Sequence, residues 1–385
     1  MTGIAITFWL AVLAILYAYA GYPALLWLLS RFKRRAGSGG VAHDRRLPSV
    51  SLLISAHNEE EVIGEKLKNA LALDYPPGLL EIVVVSDGST DRTGEIVLRF
   101  ADQGVVLRHF EGRIGKTACL NRALPLAAGP IIVFSDANSH YEKGALRALV
   151  HRFNERTVGF VTGWTRYGSQ LRASVDSLGL YSRIELITKE LESRLGSCIG
   201  ADGAIFAIRK ELYVPLKDHD INDFVIPLSI NQQGYRGVLQ RDATCCEKDA
   251  GGAEGEFYRQ VRITNRTIRA IVNYRRLLNP LRFGLLSFQL FSHKVCKFLV
   301  PLFLVTVLVT NLILAEHGRF FAMVLFAQGT FYATAVAALV VPKGNILFRI
   351  AEAARTFVIV NAAVALAWVK YFQGETYTTW SPTKR

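Results

Sequence analysis

Long apolar runs lie at both ends of the chain. No charged side chain occurs between Gly3 and Ser30, and a helix of that length, at about 1.5 Å per residue, exceeds the roughly 30 Å hydrocarbon core of a bilayer. Residues 298–315 and 320–342 are also uncharged and close to spanning length. The pattern predicts three membrane-spanning helices.

A fourth apolar run, residues 350–369, contains Glu352 and Arg355, which are costly in lipid unless they are paired. If this run spans the membrane, Lys370 and the tail at 371–385 lie outside, against the tendency of basic residues to stay inside. If it lies in the membrane interface, the tail returns to the cytoplasm. We expect C-terminal helices over residues 298–370 and keep both alternatives for the last one.

The first apolar run also has the small residues of a signal-peptide cleavage site at Ala18 and Ala20. However, it opens without a positive charge, is too long for a signal core, and is followed by basic residues: Arg31, Lys33, Arg34 and Arg35. These features favour a permanent membrane helix at 1–30 and a basic linker at 31–47. By the positive-inside rule, we expect a multi-pass inner-membrane protein whose central domain is cytoplasmic.

Short apolar runs alternate with amphipathic stretches after residue 47. The predicted strands are 49–55, 81–86, 105–110 and 130–135, and the predicted helices are 59–73, 91–101 and 116–127. Such alternation indicates βαβ units. The pattern therefore predicts an α/β domain with a mostly parallel sheet over residues 48–270.

Polar residues follow three of these strands, at 56–60, 86–91 and 135–138. Ligands of parallel sheets bind outside the carboxyl ends of strands, so these segments are expected to converge. Taken singly, each also fits an ordinary turn followed by a helix cap. Asp136 and Asn138, two residues apart in an extended segment, can present two oxygens to Mg²⁺ or Mn²⁺ while a bound diphosphate completes the coordination.

Four segments, at 55–60, 85–91, 115–121 and 134–138, together resemble the ordered motifs of the inverting family 2 glycosyltransferases with the GT-A fold. That family includes cellulose, chitin and hyaluronan synthases and many bacterial exopolysaccharide enzymes. The resemblance extends over roughly residues 48–270. It implies a Rossmann-like GT-A domain that binds a nucleotide-sugar, and a UDP-sugar is favoured because most members use one.

The resemblance also implies a role for several single residues. Five would contact the nucleotide, from its base to its phosphates: His57, Asn58, Glu59, Asp87 and Lys116. Asp87 would hydrogen-bond the base. Asp136 and Asn138 correspond to the family's metal-binding DxD motif, in which Asn138 offers only a neutral oxygen. A cation held there stabilises the charge that develops on the departing diphosphate.

Two later acidic residues are candidates for the acceptor side. Asp202, in a glycine-rich turn, is either an exposed turn residue or, by the resemblance, a residue that contacts the acceptor. Asp223 fits a helix N-cap, but it also matches the family's acidic motif whose last Asp is the general base. An inverting transfer needs such a base to accept the proton of the acceptor hydroxyl, and we expect Asp223 to have this role.

Arg259 and Arg262 stand where processive synthases carry a QxxRW-like motif. Here Ile263 replaces the Trp, and Arg259 replaces the first Gln. Arginine side chains can bind a diphosphate bidentately, so both are candidates for donor binding. The next segment, residues 271–297, alternates basic and apolar residues and predicts an interfacial helix at the headgroups.

The net charge of +13 does not indicate nucleic acid, because the basic residues cluster near the membrane segments and over residues 259–276. Such clusters suit anionic lipid headgroups and phosphorylated substrates. The five cysteines are odd in number and lack CxxC spacing, which argues against a disulfide framework or a zinc site.

Three functions remain. A glycosyltransferase would add one or a few sugars to a lipid-linked oligosaccharide or exopolysaccharide precursor, with other polysaccharide-assembly subunits as compatible partners. A processive synthase would make and translocate its own polymer. A transporter with a degenerate nucleotide-binding module would need ionisable or broken helices, which the two clear C-terminal runs lack. Ile263 and the small number of spans favour the first function.

Overall fold

The computed structural model describes residues 1–32, 47–167, 180–247, 253–342 and 345–378. Nearly all of the expected linker at 31–47, and the tail beyond residue 378, lie outside the described residues. The chain divides into two compact units. The helical unit comprises Met1–Leu25, Gly252–Ile268 and Ser287–Thr376, and the α/β unit comprises Leu26–Gly251, Arg269–Leu286 and Tyr377–Arg385.

One eight-stranded sheet forms the centre of the α/β unit. Its strands in chain order are β1 (Val50–Ala56), β2 (Leu80–Asp87), β3 (Val105–Phe110), β4 (Ile131–Asp136), β5 (His140–Tyr141), β6 (Val158–Tyr167), β7 (Phe206–Arg209) and β8 (Arg236–Glu247). Their order across the sheet is β3-β2-β1-β4-β7-β6-β8-β5. The α/β fold class is confirmed, and each of the four predicted strands is present within one residue at either end.

The sheet is parallel on one side and mixed on the other. β3, β2, β1 and β4 are parallel neighbours. β7 then runs antiparallel to both β4 and β6, while β8 pairs parallel with β6 and antiparallel with β5. All seven residues of β1 are buried, as expected for a parallel strand covered by helices on both faces. The parallel side therefore presents several strand ends at one edge.

Helices flank and follow the sheet. In chain order the α-helices are α1 (Thr2–Phe32, with a π turn at Tyr17–Gly21), α2 (Ile63–Leu71), α3 (Thr93–Leu98), α4 (Lys116–Ala123), α5 (Ala145–His151), α6 (Leu180–Leu195), α7 (Asn222–Gln232), α8 (Ala253–Asn273), α9 (Pro280–Phe283), α10 (Leu285–Ala315, with a π turn at Phe291–Val295), α11 (Arg319–Ala337) and α12 (Ile346–Phe372). Short 3-10 turns occur at Pro77–Leu79, Ala101–Gln103, Leu124–Leu126, Arg152–Asn154, Lys210–Leu212 and Arg275–Leu278.

In the described part of the chain, four helices are long and apolar enough to cross a membrane: α1, α10, α11 and α12. Within the helical unit, Phe8 and Ala11 of α1 pack against Val307 and Leu314 of α10. These contacts bury one face of each helix, while many large apolar side chains on the other faces remain exposed. Exposed apolar surface of this extent is typical of helices that contact lipid.

The structure corrects the expectation of one interfacial helix over residues 271–297. The α8 helix ends at Asn273, and α9 is a separate four-residue helix whose first turn is capped by the side chain of Asn279. Gly284, with a φ of 50°, ends α9 because a left-handed residue cannot continue a helix. From Leu285 onward the segment belongs to α10.

Candidate active site

The ends of β1, β2 and β4 meet at one edge of the sheet. Ala56 pairs with Ser86, and Ser55 pairs with Asp136, so these three strands end in register. The residues that follow them are therefore neighbours. The structure brings together six of the predicted site residues at this edge: His57, Asn58, Glu59, Asp87, Lys116 and Asp136.

Hydrogen bonds join the loops that follow β1 and β2. Nδ1 of His57 lies 2.5 Å from the carbonyl oxygen of Asp87, and the backbone N–H of Thr90 donates to Oδ1 of Asn58 at 2.8 Å. Asn58 adopts a φ of 52°, a conformation that Asn tolerates better than most residues. The two loops thus form one wall, and these contacts hold it in shape.

Asp91 strengthens this wall at the start of α3. Its carboxylate accepts the backbone N–H groups of Glu60 at 3.0 Å and of Thr93 at 2.9 Å. Partial burial acts to raise the pKa of Asp91, but these hydrogen bonds to the charged form outweigh it and lower the pKa overall. Asp91 therefore accepts the first backbone N–H of α3 from the position before the N-cap residue, Arg92.

Asp87 holds the start of α4. Both of its carboxylate oxygens accept the backbone N–H of Gly115, at 3.0 and 3.1 Å, and Sγ of Cys119 lies 3.4 Å from Oδ1. Burial, together with this carboxylate, raises the pKa of Cys119, so the thiol stays protonated. Contact between Asp87 and a nucleotide base stays a prediction.

Gly115 is closely approached from the C-terminal side of the chain. Its φ is 92°, and a Cβ placed on it would lie 2.7 Å from the carbonyl oxygen of Thr378. Only glycine combines that backbone conformation with so close an approach. Thr378, a residue of the α/β unit that follows α12, therefore lies beside the start of α4.

Lys116, the first residue of α4, forms an ion pair with Asp136 at the end of β4. Nζ of Lys116 lies 2.5 Å from Oδ1 of Asp136, and both side chains are partly exposed. Among the residues that the structure describes, no group of three or more His, Cys, Asp or Glu side chains could hold a metal ion. Mg²⁺ usually takes one or two carboxylates plus substrate phosphates, so the oxygens of Asp136 and Asn138 fit a cation that binds with a diphosphate.

The α4 helix also contacts the segment that leads to Asp223. Oγ1 of Thr117 donates to the carbonyl oxygen of Asp220 at 3.0 Å. Oδ1 of Asn121 accepts from the hydroxyl of Tyr213 at 2.6 Å and from the backbone N–H of Leu216 at 2.9 Å. Sequence reasoning gave Thr117 and Asn121 no role, although both lie in the segment 115–121 that carried the family resemblance.

Asp202 and Asp223 lie on two segments that pack together. The backbone N–H of Ala201 donates to the carbonyl oxygen of Asp223 at 2.8 Å, and a Cβ on Gly203 would lie 2.9 Å from Oδ2 of Asp223. Gly203 therefore leaves room for this carboxylate. Asp223 is the second residue of α7, after the N-cap residue Ile221 and Asn222, so the structure does not place it at the N-cap position.

Asp202 makes several hydrogen bonds within the protein. Its carboxylate accepts from the backbone N–H and hydroxyl of Thr165, each at 2.9 Å, and from the backbone N–H of Ala204 at 3.1 Å. These bonds connect β6 to the turn before β7. Asp202 is thus placed to shape the turn beside Asp223, and its contact with an acceptor stays a prediction.

A cleft of about 450 Å³ opens beside the wall formed after β1 and β2. Its lining residues come from the loops after three strands: His57, Asn58, Gly88, Ser89, Thr90, His109, Glu111, Gly112 and Arg113. The last four follow or end β3 and were not predicted. Ligands of parallel sheets bind outside the carboxyl ends of strands, and this rule applies to β3 as well as to the other strands. The sequence therefore contained the information needed to predict these four residues.

Arg259 and Arg262 lie on α8, in the helical unit. Nε of Arg259 forms an ion pair with Glu256 at 2.8 Å, one helical turn away. The binding of a diphosphate by these two arginines stays a prediction.

Part of the chain resembles known proteins. Residues 51–213 match the model of glycosyl transferase family 2. A probable glycosyltransferase of Bacillus subtilis (strain 168), YdaM, is 31% identical over 55% of this chain and 57% of its own length. A β-monoglucosyldiacylglycerol synthase of Nostoc sp. is 38% identical over 30% of this chain and 25% of its own. The chain thus spans about half or less of the length of these relatives.

A solved structure shares the fold. The mannosyltransferase PcManGT from Pyrobaculum calidifontis, solved in complex with GDP-Man and Mn²⁺, superposes with a TM-score of 0.70 at 23% identity, over 96% of this chain and 99% of that one. At this identity the likeness concerns the fold alone. Residues 51–213, from β1 to β7, thus form a glycosyltransferase family 2 domain, and the chain has the GT-A fold.

Proposed function

We propose that this protein transfers a sugar, with inversion, from a nucleotide-sugar to a lipid-linked oligosaccharide or exopolysaccharide precursor. One observation carries the proposal: Asp87, Lys116 and Asp136 meet at the carboxyl ends of parallel strands, where such sheets bind ligands. The family resemblance favours a UDP-sugar as the donor. The relatives, among them a synthase of monoglucosyldiacylglycerol, support a lipid or glycan acceptor.

The donor would bind along the edge formed by β1, β2 and β4. Its nucleoside would occupy the cleft beside His57 and Asn58, and Lys116 would place its charge near the phosphates. Asp136 and Asn138 would hold Mg²⁺ or Mn²⁺, which stabilises negative charge on the departing diphosphate. Arg259 and Arg262 are further candidates for the diphosphate through bidentate hydrogen bonds.

The acceptor hydroxyl would be activated by Asp223. Its carboxylate accepts the hydroxyl proton while the oxygen attacks the anomeric carbon from the side opposite the diphosphate, which inverts that centre. Gly203 leaves space beside this carboxylate, and Asp202 holds the same turn through Thr165. The contact of Thr117 with Asp220 links the donor side to the segment carrying the base.

The protein would be a multi-pass inner-membrane protein with its α/β unit in the cytoplasm. The basic residues that follow α1 support this orientation. The position of Thr378 constrains how many times the chain can cross the membrane. Both Leu286 and Thr378 belong to the α/β unit, so the chain between them must cross the membrane an even number of times. Three long apolar helices lie between them, so one of them would not cross.

Contacts within the helical unit favour α12 as the helix that lies along the interface. Asn361 donates to the hydroxyl of Tyr19, and Trp368 donates to the carbonyl oxygen of Phe298. The α1 residues around Tyr19 pack against the α10 residues that flank Phe298, so the two contacts lie at one level. If α12 stood upright in the membrane, Asn361 and Trp368 would differ in height by about 10 Å. A transverse α12 would also keep its charged residues near water.

Cysteine accessibility tests this topology. The native cysteines are all buried, so single cysteines can be introduced at Gln373, at Glu316 between α10 and α11, and at Asp102 in the α/β unit. We expect an impermeant maleimide to label Gln373→Cys and Asp102→Cys from the same side of sealed vesicles and Glu316→Cys from the other. Labelling of Gln373→Cys together with Glu316→Cys would instead mean that α12 crosses.

A donor screen tests the enzymatic proposal. Purified protein in detergent is given a panel of UDP-, GDP- and other nucleotide-sugars, each with Mn²⁺, with Mg²⁺ and with chelator, and release of nucleoside diphosphate is measured. We expect release from one donor class that requires the metal. Asp223→Asn protein serves as the matched control for contaminating hydrolases. No release from any donor in lipid-supplemented assays would contradict the proposal.

A further inference from the structure

Lys66 is a fully buried cation in the α/β unit. It lies on α2 with 0% of its surface exposed. Its ammonium donates to the carbonyl oxygen of Ser139 and lies 4.2 Å from the centre of the Tyr141 ring. Lysine is rarely buried because removing its charge from water is costly, so a buried ammonium needs strong partners. The site proposed above gives Lys66 no role.

The partners of Lys66 belong to the segment that continues directly from Asp136 and Asn138. Ser139 is the next residue, and its hydroxyl donates to the carboxylate of Glu247 at the end of β8. The backbone N–H of Ser139 lies 3.3 Å from the carbonyl oxygen of Asp136. Ser139 is therefore held from two sides, by Lys66 and by Glu247.

Several hydrogen bonds also hold Tyr141 in place. Its hydroxyl bonds the carbonyl oxygens of Phe134 at 2.9 Å and of Ala204 at 3.1 Å, and its backbone pairs with the side chain of Asn69 on α2. The cation–π contact with Lys66 acts on a ring that cannot move away. The segment from Phe134 to Tyr141 carries both proposed metal ligands. Residues of α2 hold this segment in place through these contacts.

We infer that Lys66 is a positioning residue for the proposed cation site: it holds the main chain at Ser139 so that Asp136 and Asn138 present their oxygens together. Lys66 itself touches neither the donor nor the cation. The inference rests on the proposed function, because it needs a cation at Asp136 and Asn138. When a residue that orients metal ligands without binding the metal is removed, the metal affinity typically falls by about 10- to 100-fold.

The test compares full-length Lys66→Met with Lys68→Met, which removes an exposed lysine two residues along the same helix. Mn²⁺ binding in the presence of UDP and of GDP is followed by electron paramagnetic resonance, and the Mn²⁺ requirement of diphosphate release is measured in parallel. For Lys66→Met we expect about ten-fold weaker Mn²⁺ binding or more, with turnover at saturating Mn²⁺ reduced far less. Lys68→Met should match the wild type.

An unchanged Mn²⁺ affinity in folded Lys66→Met, with only a lower melting temperature, would overturn the inference and leave Lys66 as a support of the fold. If Lys66→Met does not fold, Lys66→Gln decides, because its neutral and shorter amide removes the ammonium that bonds the carbonyl oxygen of Ser139; an unchanged Mn²⁺ affinity there overturns the inference as well. A wild type that binds Mn²⁺ with nucleotide but transfers no sugar refutes the proposed function, while the binding comparison still decides the role of Lys66. A wild type that binds no Mn²⁺ overturns both.

Discussion

Nζ of Lys116 lies 2.5 Å from Oδ1 of Asp136, so the lysine expected at the phosphates and the aspartate expected at the metal are paired with each other. A cation that binds Asp136 must therefore compete with the ammonium of Lys116 for one carboxylate. Donor binding would relieve this competition, because the phosphates offer Lys116 a new partner. The ion pair would thus link metal binding to donor binding.

Removal of Lys116 should change the two affinities in opposite directions. In Lys116→Gln, Mn²⁺ should bind the donor-free protein more tightly, by up to roughly five-fold, since a partly exposed ion pair contributes at most about 1 kcal/mol. The donor should bind more weakly because a charge near its phosphates is lost. Calorimetric titrations with Mn²⁺ and with the donor measure both, with the exposed Lys143→Gln as the control. Weaker binding of both ligands would contradict the competition.

Loss of Asp136 should weaken donor binding mainly when metal is present. In Asp136→Ala the cation loses its charged protein ligand, and ligand and metal bind as a unit. Donor affinity is measured in Mn²⁺ and in chelator, with Asp102→Ala, an exposed aspartate on a distant turn, as the control. Equal affinity of wild type and mutant in Mn²⁺ would remove Asp136 from the cation site.

Asp223→Asn should reduce turnover by about 10²–10⁴-fold, the range expected for loss of a general base, while donor binding is retained. The amide keeps the shape of the side chain beside Gly203 but cannot accept the proton. Transfer rates and donor affinity are compared with those of Asp218→Asn, which changes an exposed aspartate five residues earlier. Near-normal transfer by a folded Asp223→Asn protein would restrict Asp223 to a structural role.

Gly115→Ala should impair donor binding as well as stability. At Gly104, which also has a positive φ but open space around it, alanine should cost only the about 1–2 kcal/mol of a left-handed backbone. At Gly115 the added methyl group also meets Thr378. Thermal unfolding and donor titration of the two variants separate these effects. A Gly115→Ala protein that resembles Gly104→Ala in both measurements would show that Thr378 adds no constraint.

The purified enzyme, given one donor and a suitable primer, should yield products only one or a few sugars longer. A processive enzyme must hold its polymer between transfers, and the position that resembles the retaining aromatic is Ile263 here. The four long apolar helices of the described residues are also few for enclosing a glycan. Mass spectrometry of the products measures their length. A ladder of tens of sugars from monomeric protein would favour the processive alternative.

Much of the site was predictable because its residues follow parallel strands. Buried apolar runs mark strands such as β1, and parallel strands end at a common edge, so Asp87 and Asp136 could be expected near each other without knowledge of the fold. Their actual hydrogen-bond partners could not. The bonds from Gly115 to Asp87 and from Thr165 to Asp202 join residues far apart in the chain, and no local pattern encodes such pairings.

The division of residues 271–297 was harder to predict for a different reason. Alternating basic and apolar residues resemble one face of a helix, yet the cap at Asn279 and the positive φ of Gly284 end a helix after four residues. A single residue of this kind can begin or end a helix within a segment whose periodic pattern predicts one continuous helix. Lys66 was missed because a lysine on an amphipathic helix is ordinarily exposed.

The contact between Thr378 and Gly115 also has a consequence for how the protein is made. Thr378 follows every one of the four long apolar helices, so it leaves the ribosome only after all of them have been synthesised. The close approach to Gly115 at the start of α4 therefore forms only after the long apolar helices have been synthesised. A polypeptide whose translation stops before residue 378 lacks this contact beside Lys116, the residue proposed to lie near the donor phosphates.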